Sequence, residues 1–149
     1  MNAPFDIKAI LEDFELLDDW DDRYRYLIEL GSGLEPLAPS EKTPQSKVQG
    51  CVSQVWLVCE SSGGPDPVLT FRGDSDAHIV RGLIAVTLAL FSGRRASQIV
   101  ATDEADVFGR LRLTEHITPQ RSNGLRAVVA RIKAEAAAAA GQPAHSAGR

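Results

Sequence analysis

The chain has few of the side chains that bind metal ions. Among its 149 residues are only two cysteines, Cys51 and Cys59, and three histidines, His78, His116 and His145. A structural zinc site needs four Cys or His ligands in closely spaced pairs, and these five residues are scattered. The sequence therefore predicts no metal site. Two cysteines in a reducing compartment also do not predict a disulfide framework.

Long apolar runs are missing as well. The longest apolar stretch, Leu83 to Phe91, is about half as long as a membrane-spanning helix requires. The first residues include Asp6 and Glu12 and lack the basic-then-apolar order of a signal peptide. We therefore expect a cytoplasmic protein with no membrane partner.

Positive charge is not in excess. The chain has 16 Lys and Arg against 20 Asp and Glu, a net charge of -4, whereas phosphate binding needs concentrated basic residues. No glycine-rich phosphate loop follows a predicted strand. The sequence thus argues against nucleic acid and nucleotide ligands, and we interpret the acidic cluster at residues 12–22 as a solvated helix face.

Apolar residues at helical spacing predict two helices near the N-terminus. The first is marked by Ile7, Ile10, Leu11, Phe14 and Leu17, which follow the i, i+3, i+4, i+7 pattern. Asp18 and Asp19 predict the cap of a second helix, and Gly31 its end.

The middle of the chain predicts a small antiparallel meander. After a proline-containing connection at residues 34–46, a short strand starts at Val48, followed by Gln54 to Glu60 and Val68 to Arg72, which are rich in β-forming residues. We expect a turn at Gly73 to Asp76 that caps a buried central helix, from about Ala77 to Phe91.

Shorter helices are predicted after the central one. They are expected at Ala96 to Val100 and Glu104 to Leu113, followed by a last helix with Thr118 as N-cap and Pro119 at its first position. The fold class is α+β, a single domain over residues 1–149 with an antiparallel sheet of about three strands packed on helices. We expect an ordered core at about residues 5–135 and a frayed alanine-rich tail at 136–149.

The candidate for chemistry is the thiol of Cys51. It follows Gly50, which gives the backbone unusual freedom, and its neighbours Gln49, Ser53 and Gln54 are polar. A thiol at the start of a strand is reachable, as a nucleophile must be. Free cysteines are also often buried, so a packing role is the competing interpretation.

Other sites are less favoured. Cys59 lies inside a predicted strand, so we interpret it as a packed thiol, too far along the extended chain to bridge to Cys51. None of the three histidines has a spacing that predicts contact with Cys51, which disfavours a cysteine hydrolase. Asp74 and Asp76 are explained as helix caps.

Four segments of the chain resemble the SufE family. The signature runs from Gly50 to Leu57 (GCVSQVWL), and similar segments are found at residues 20–31, 73–85 and 113–125. The resemblance covers about residues 5–135 in order. It implies a fold similar to that of IscU-type cluster scaffolds, although a lone active thiol suits a carrier better than a scaffold that must hold iron through several ligands.

The resemblance also implies a role. In that family the cysteine at the Cys51 position accepts persulfide sulfur from a pyridoxal-phosphate cysteine desulfurase of SufS or CsdA type. The protein stimulates the desulfurase and passes sulfur to a SufBCD-like scaffold complex. No cofactor of its own is implied, since pyridoxal phosphate belongs to the partner. A non-catalytic regulator of a desulfurase is the alternative.

We hypothesise further that the loop from Gly50 to Ser53 has two positions, one tucked against the apolar surface near the central helix and one extended into the partner. Gln54 is expected on the same partner-facing surface. Asp74 and Arg121 lie in segments that match the family, and they are expected near this surface as docking or loop-holding residues.

Overall fold

The computed structural model describes residues 6–51 and 53–140. Within these residues the chain forms seven α-helices, one three-stranded sheet and a 3-10 turn at Pro39–Glu41. The helices and strands in chain order are α1 (Ile7–Leu16), α2 (Trp20–Ser32), β1 (Val55–Ser61), β2 (Val68–Ser75), α3 (His78–Phe91), β3 (Arg94–Arg95), α4 (Ala96–Ala101), α5 (Glu104–Leu111), α6 (Leu113–His116) and α7 (Pro119–Ala140). The predicted α+β class with a small antiparallel sheet is confirmed.

The end of α2 differs from the prediction. The helix continues through Gly31 to Ser32, so the prediction that Gly31 ends it is wrong. Gly31 is buried against α3, where a Cβ atom would lie 2.5 Å from the backbone nitrogen of Gly82. The glycine is needed for this close approach of two helices and not for a helix stop.

The sheet has the order β1-β2-β3, and both pairings are antiparallel. The predicted strand at Val48 is not one of its strands, because only an isolated bridge between Lys47 and Trp56 forms there. The third strand is instead β3, paired with Val68 and Leu69 of β2.

Strand β2 is longer than predicted, and the expected turn at Gly73 to Asp76 is wrong for its first three residues. Pairing with the start of β1 continues through Gly73 and Asp74 to Ser75. The helix caps assigned to Asp74 and Asp76 are also wrong. The N-cap of α3 is Ala77, with no side-chain cap bond.

Helix α3 forms the centre of the core, as its all-round apolar pattern predicts. Eleven of its residues are buried, and Ala85, Val86 and Phe91 are completely inaccessible. It packs against α2, β2 and α7. This places one face of the central helix next to the segment that carries Cys51.

The last helix begins as predicted, with the Thr118 hydroxyl accepting a bond from the backbone of Arg121. Helix α5 ends at Leu111 and not Leu113, because Arg112 takes a left-handed conformation with φ of 57°. Helix α7 continues to Ala140, so the predicted frayed tail is wrong for residues 136–140. Its remaining part, residues 141–149, lies outside the described residues.

Candidate functional site around Cys51

The loop that carries Cys51 folds back on helix α7. Gly50 has a φ of 92°, a left-handed conformation that glycine adopts without a steric penalty. The Sγ atom of Cys51 lies 3.6 Å from the backbone oxygen of Gly124, to which the thiol donates a weak hydrogen bond. A Cβ atom added to Gly124 would lie 3.5 Å from the same sulfur. The thiol is therefore held against the first turns of α7.

Cys51 lines a cavity of about 290 Å³ between the loop, α3 and α7. Six of the lining side chains are aliphatic: Val55, Val80, Leu83, Ile84, Leu125 and Val128. Among the described residues that line the cavity, only Arg121 has a charged side chain. An S–S bond is about 2 Å long, so a second sulfur on Cys51 could be accommodated within a largely apolar space.

Burial controls the ionisation of both thiols. Burial raises the pKa of Cys51 above its ordinary value. The pKa of Cys59 is raised to about 11, by burial and then by the charges of Glu135 and Glu60, while Arg131 acts in the opposite direction. Both cysteines are free and partly buried. At neutral pH both are therefore protonated in this conformation, and neither is an activated nucleophile.

The structure brings several of the predicted site residues together. Ser53 and Arg121 line the cavity next to Cys51, and Gly50 shapes its loop. Gln54 is exposed and acts through its backbone: its N–H donates to Asp76 Oδ1 at 3.1 Å, and its oxygen accepts from the Asp76 N–H at 3.3 Å. These bonds fix the point at which the loop ends and β1 begins.

Asp74 is placed differently. Its carboxylate is buried and forms ion pairs with Arg81 Nε at 3.3 Å and Lys42 Nζ at 3.5 Å. It does not belong to the described lining of the cavity. These contacts connect the end of β2 to α3 and to the segment before β1, so Asp74 has a structural role that leaves little of its carboxylate for a partner.

Sequence reasoning missed two residues of the site. The first is Tyr24 of α2, whose hydroxyl oxygen accepts a hydrogen bond at 2.6 Å from Nη1 of Arg121, 97 residues later in the chain. Gly124 contacts Cys51 from inside α7. A glycine within a helical pattern is a signal for a close contact, and this signal could have identified Gly124. Nothing in the local pattern indicates the role of Tyr24.

The part of the chain that the structure describes contains no set of ligands for a bound metal ion. No group of three or more His, Cys, Asp or Glu side chains comes together there in a way that could hold an ion. Among the helices described above, none combines the length and the apolar character that crossing a bilayer requires.

The fold and the site define a small α+β protein with a thiol that follows a left-handed glycine and lines an apolar cavity. Residues 8–136 match the model of the SufE family, described as an Fe-S metabolism associated domain. The chain therefore belongs to the SufE family, and through it is associated with iron–sulfur metabolism.

Relatives and a solved structure agree with this assignment. The chain is 56% identical over 131 residues to an uncharacterised SufE-like protein of Rhizobium meliloti (strain 1021), an alignment that covers 87% of this chain and 94% of the relative. A SufE-like protein of Rhizobium etli is 55% identical over 131 residues, covering 87% and 88% of the two chains. The solution structure of a hypothetical protein from Thermus thermophilus shares the fold, with a TM-score of 0.70, 22% identity and coverage of 93% of this chain and 98% of that one.

Proposed function

We propose that this protein is a sulfur acceptor that takes persulfide sulfur from a cysteine desulfurase onto Cys51, stimulates the desulfurase, and passes the sulfur to an iron–sulfur cluster scaffold. Membership of the SufE family supports the link to iron–sulfur metabolism. The observation that carries the proposal is the position of Cys51, whose thiol follows a left-handed glycine and lines an apolar cavity.

The proposed transfer is an exchange at sulfur. The thiolate of Cys51 attacks the terminal sulfur of the donor persulfide, a new S–S bond forms at Cys51, and the old S–S bond breaks. The donor cysteine leaves as a thiolate. No electrons are gained or lost overall, because one S–S bond replaces another. The reaction needs no redox cofactor, and the pyridoxal phosphate that releases sulfur from cysteine belongs to the donor.

The cavity and the pKa of Cys51 suggest why transfer would wait for the partner. Burial raises the pKa of the thiol, so Cys51 in its cavity is a poor nucleophile, and a persulfide there is sheltered from external thiols. Rotation at Gly50 would move Cys51 out of the cavity into a partner's active site. The loop would thus alternate between a protected and a reactive position.

The proposed partners follow from this role. The donor is a SufS- or CsdA-type desulfurase and the acceptor a SufBCD-like complex, with transfer in the cytoplasm and no membrane or nucleic acid partner. Gly50, Ser53, Gln54 and Arg121 would form the surface that meets the donor. A reversal of charge at Arg121 should then weaken stimulation of the desulfurase.

The test uses the purified protein with a desulfurase of this type, pyridoxal phosphate and cysteine, followed by intact-mass measurement. We expect the mass to increase by one sulfur atom. Cys51→Ser should abolish both the mass increase and the stimulation, whereas Cys59→Ser, the matched control, should keep both. If Cys51→Ser still stimulates the desulfurase, the protein is the non-catalytic regulator that forms the alternative.

A further inference from the structure

Arg121 contributes the one charged side chain among the described residues that line the Cys51 cavity. A guanidinium carries its charge at every physiological pH and donates through several N–H groups in a fixed plane. Its position therefore decides the charge that the cavity presents to a bound sulfur. An arginine side chain has many rotamers, so something must select one of them.

The hydroxyl of Tyr24 selects the rotamer of Arg121. Its oxygen accepts a hydrogen bond at 2.6 Å from Nη1 of Arg121, and both side chains are partly buried. A hydrogen bond to a charged donor is stronger than one between neutral groups. Tyr24 lies on α2, and α2 is fixed to α3 by the close approach of Gly31 and Gly82. The acceptor therefore belongs to a helix whose position is fixed by close packing on α3.

A guanidinium in the cavity wall suits a persulfide better than a thiol. Burial raises the pKa of the Cys51 thiol, so the unmodified side chain is neutral in the cavity at physiological pH and offers the guanidinium no charge to pair with. A second sulfur would extend about 2 Å further from Sγ. Persulfides are more acidic than thiols, so the terminal sulfur is the atom that would carry negative charge in the cavity.

We propose that Tyr24 is a positioning residue that holds the Arg121 guanidinium at the cavity wall, where it faces the terminal sulfur anion of a Cys51 persulfide. This inference rests on the proposed function, because it concerns the same sulfur. The guanidinium keeps the persulfide ionised, and the anionic terminal sulfur is a poorer electrophile toward a reducing thiolate than the protonated one. Reduction requires such a thiolate to bond to the terminal sulfur while the bond to Cys51 Sγ breaks and Cys51 leaves as a thiolate.

The test makes the persulfide without a desulfurase, so it does not depend on the donor reaction. In a Cys59→Ser background, Cys51 is converted to a mixed disulfide with nitrothiobenzoate. Hydrosulfide then attacks Cys51 Sγ and nitrothiobenzoate leaves as a thiolate. The rate at which dithiothreitol reduces the persulfide is measured, together with the rate at which iodoacetamide alkylates the unmodified Cys51 thiol.

Tyr24→Phe should speed persulfide reduction about fivefold, the effect of losing one favourable charge interaction of about 1 kcal/mol, with little change in thiol alkylation. Arg121→Gln should have the same effect, and the double variant should be no faster than either single one. The matched control is Tyr26→Phe, which removes a phenol hydroxyl on the same helix that donates to Asp13 at 2.7 Å.

An unchanged reduction rate in Tyr24→Phe would overturn the inference, as would an equal acceleration in Tyr26→Phe. So would effects of Tyr24→Phe and Arg121→Gln that multiply in the double variant. A change in thiol alkylation as large as the change in persulfide reduction would also overturn it, because the role of Tyr24 would then be structural. If Tyr24→Phe speeds persulfide reduction as expected but the protein accepts no sulfur from a desulfurase, the proposed function is refuted and the role of Tyr24 stands.

Discussion

Glycines bring two segments of the chain together at two places, and the two contacts differ in tightness. Where α2 crosses α3, a Cβ atom on Gly82 would lie 2.1 Å from the backbone oxygen of Leu27, and one on Gly31 would lie 2.5 Å from the backbone of Gly82. Real Cβ atoms do not approach backbone this closely, and backbone in a packed core has no room to shift.

The contact between the Cys51 loop and α7 is looser. A Cβ atom on Gly50 would lie 3.4 Å from the side chain of Ala127, and one on Gly124 would lie 3.5 Å from the Cys51 sulfur. These are close to ordinary van der Waals distances. The difference indicates that the scaffold is fixed at the helix crossing, whereas the loop rests on α7 without being locked to it. The proposed movement of Cys51 out of its cavity requires such a loop.

The largest expected effect is at the helix crossing. Gly82→Ala should push α2 away from α3 and lower the free energy of unfolding by about 3 kcal/mol or more, since the added methyl group meets backbone and not a flexible side chain. Urea denaturation followed by circular dichroism measures the loss.

Gly109→Ala is the matched control, because Gly109 lies within α5 and nothing is found within 4 Å of an added Cβ atom. This substitution should be neutral or stabilise by up to about 1 kcal/mol through helix propensity alone. Equal stabilities of the Gly82→Ala and Gly109→Ala variants would remove the distinction between the tight and the open positions.

The contrast between the two contacts could not be predicted from local sequence patterns. Apolar spacing is enough to predict α1 and α3, and Thr118 and Pro119 predict the start of α7, because those patterns are local. The local pattern predicts a helix end at Gly31 because its partner, Gly82, is distant in the chain and nothing nearby indicates the crossing. It predicts a turn at Gly73 for a similar reason, since the pairing of this residue depends on Leu57 of β1.

In the candidate site, too, some features could be predicted from the sequence and others could not. Cys51 and Gly50 were found from the glycine-preceded thiol and from the resemblance to the SufE family, both of which are carried by contiguous residues. The cavity could not be predicted, because it forms only when α3 and α7 meet the loop. The bond between Tyr24 and Arg121 spans 97 residues and likewise needs the tertiary structure.

The reactivities of the two cysteines allow the loop to be compared with the sheet, because Cys51 lies in the loop and Cys59 in β1. Alkylation requires the thiolate, so both rates should rise with pH, and the rate at Cys59 should continue to rise up to about pH 11, near its pKa. At pH 8 we expect Cys51 to react about tenfold faster than Cys59, a factor that a modest opening of the loop provides. Burial alone raises the pKa of Cys51, whereas the charges of Glu135 and Glu60 add to burial at Cys59.

Iodoacetamide labelling followed by peptide mass spectrometry assigns each rate to its cysteine. Labelling in urea provides the control, because the two thiols should react at similar rates once the chain is unfolded. Equal rates in the folded protein would show that the loop protects its thiol as fully as the strand does.

A smaller effect is expected at the loop itself. Gly50→Ala places a side chain at a φ of 92°, and left-handed backbone costs a non-glycine residue about 1–2 kcal/mol. The loop can relieve this strain by leaving α7, so we expect a stability loss of about 1 kcal/mol or less and faster alkylation of Cys51.

Gly63→Ala is the control for this strain, because Gly63 has a φ of 84° and lies in the turn between β1 and β2 with nothing within 4 Å of an added Cβ atom. It should destabilise the protein by a similar amount and leave Cys51 alkylation unchanged. If both variants alter the reactivity of Cys51 equally, the loop does not respond to its own backbone strain.

The smallest expected effect, and the most direct test of the looser contact, is at Gly124. Like Gly82 it is a glycine inside a helix, but an added methyl group would meet the Cys51 sulfur at an ordinary distance of 3.5 Å. Gly124→Ala should therefore raise the free energy of unfolding by about 0.5 kcal/mol through helix propensity, opposite in sign to Gly82→Ala. Alkylation of Cys51 should slow about twofold, because the methyl group covers part of the sulfur. Destabilisation by Gly124→Ala as large as that by Gly82→Ala would mean that the loop is packed on α7 as rigidly as α2 is on α3, and a Cys51 that moves out to meet a partner would then lose its structural basis.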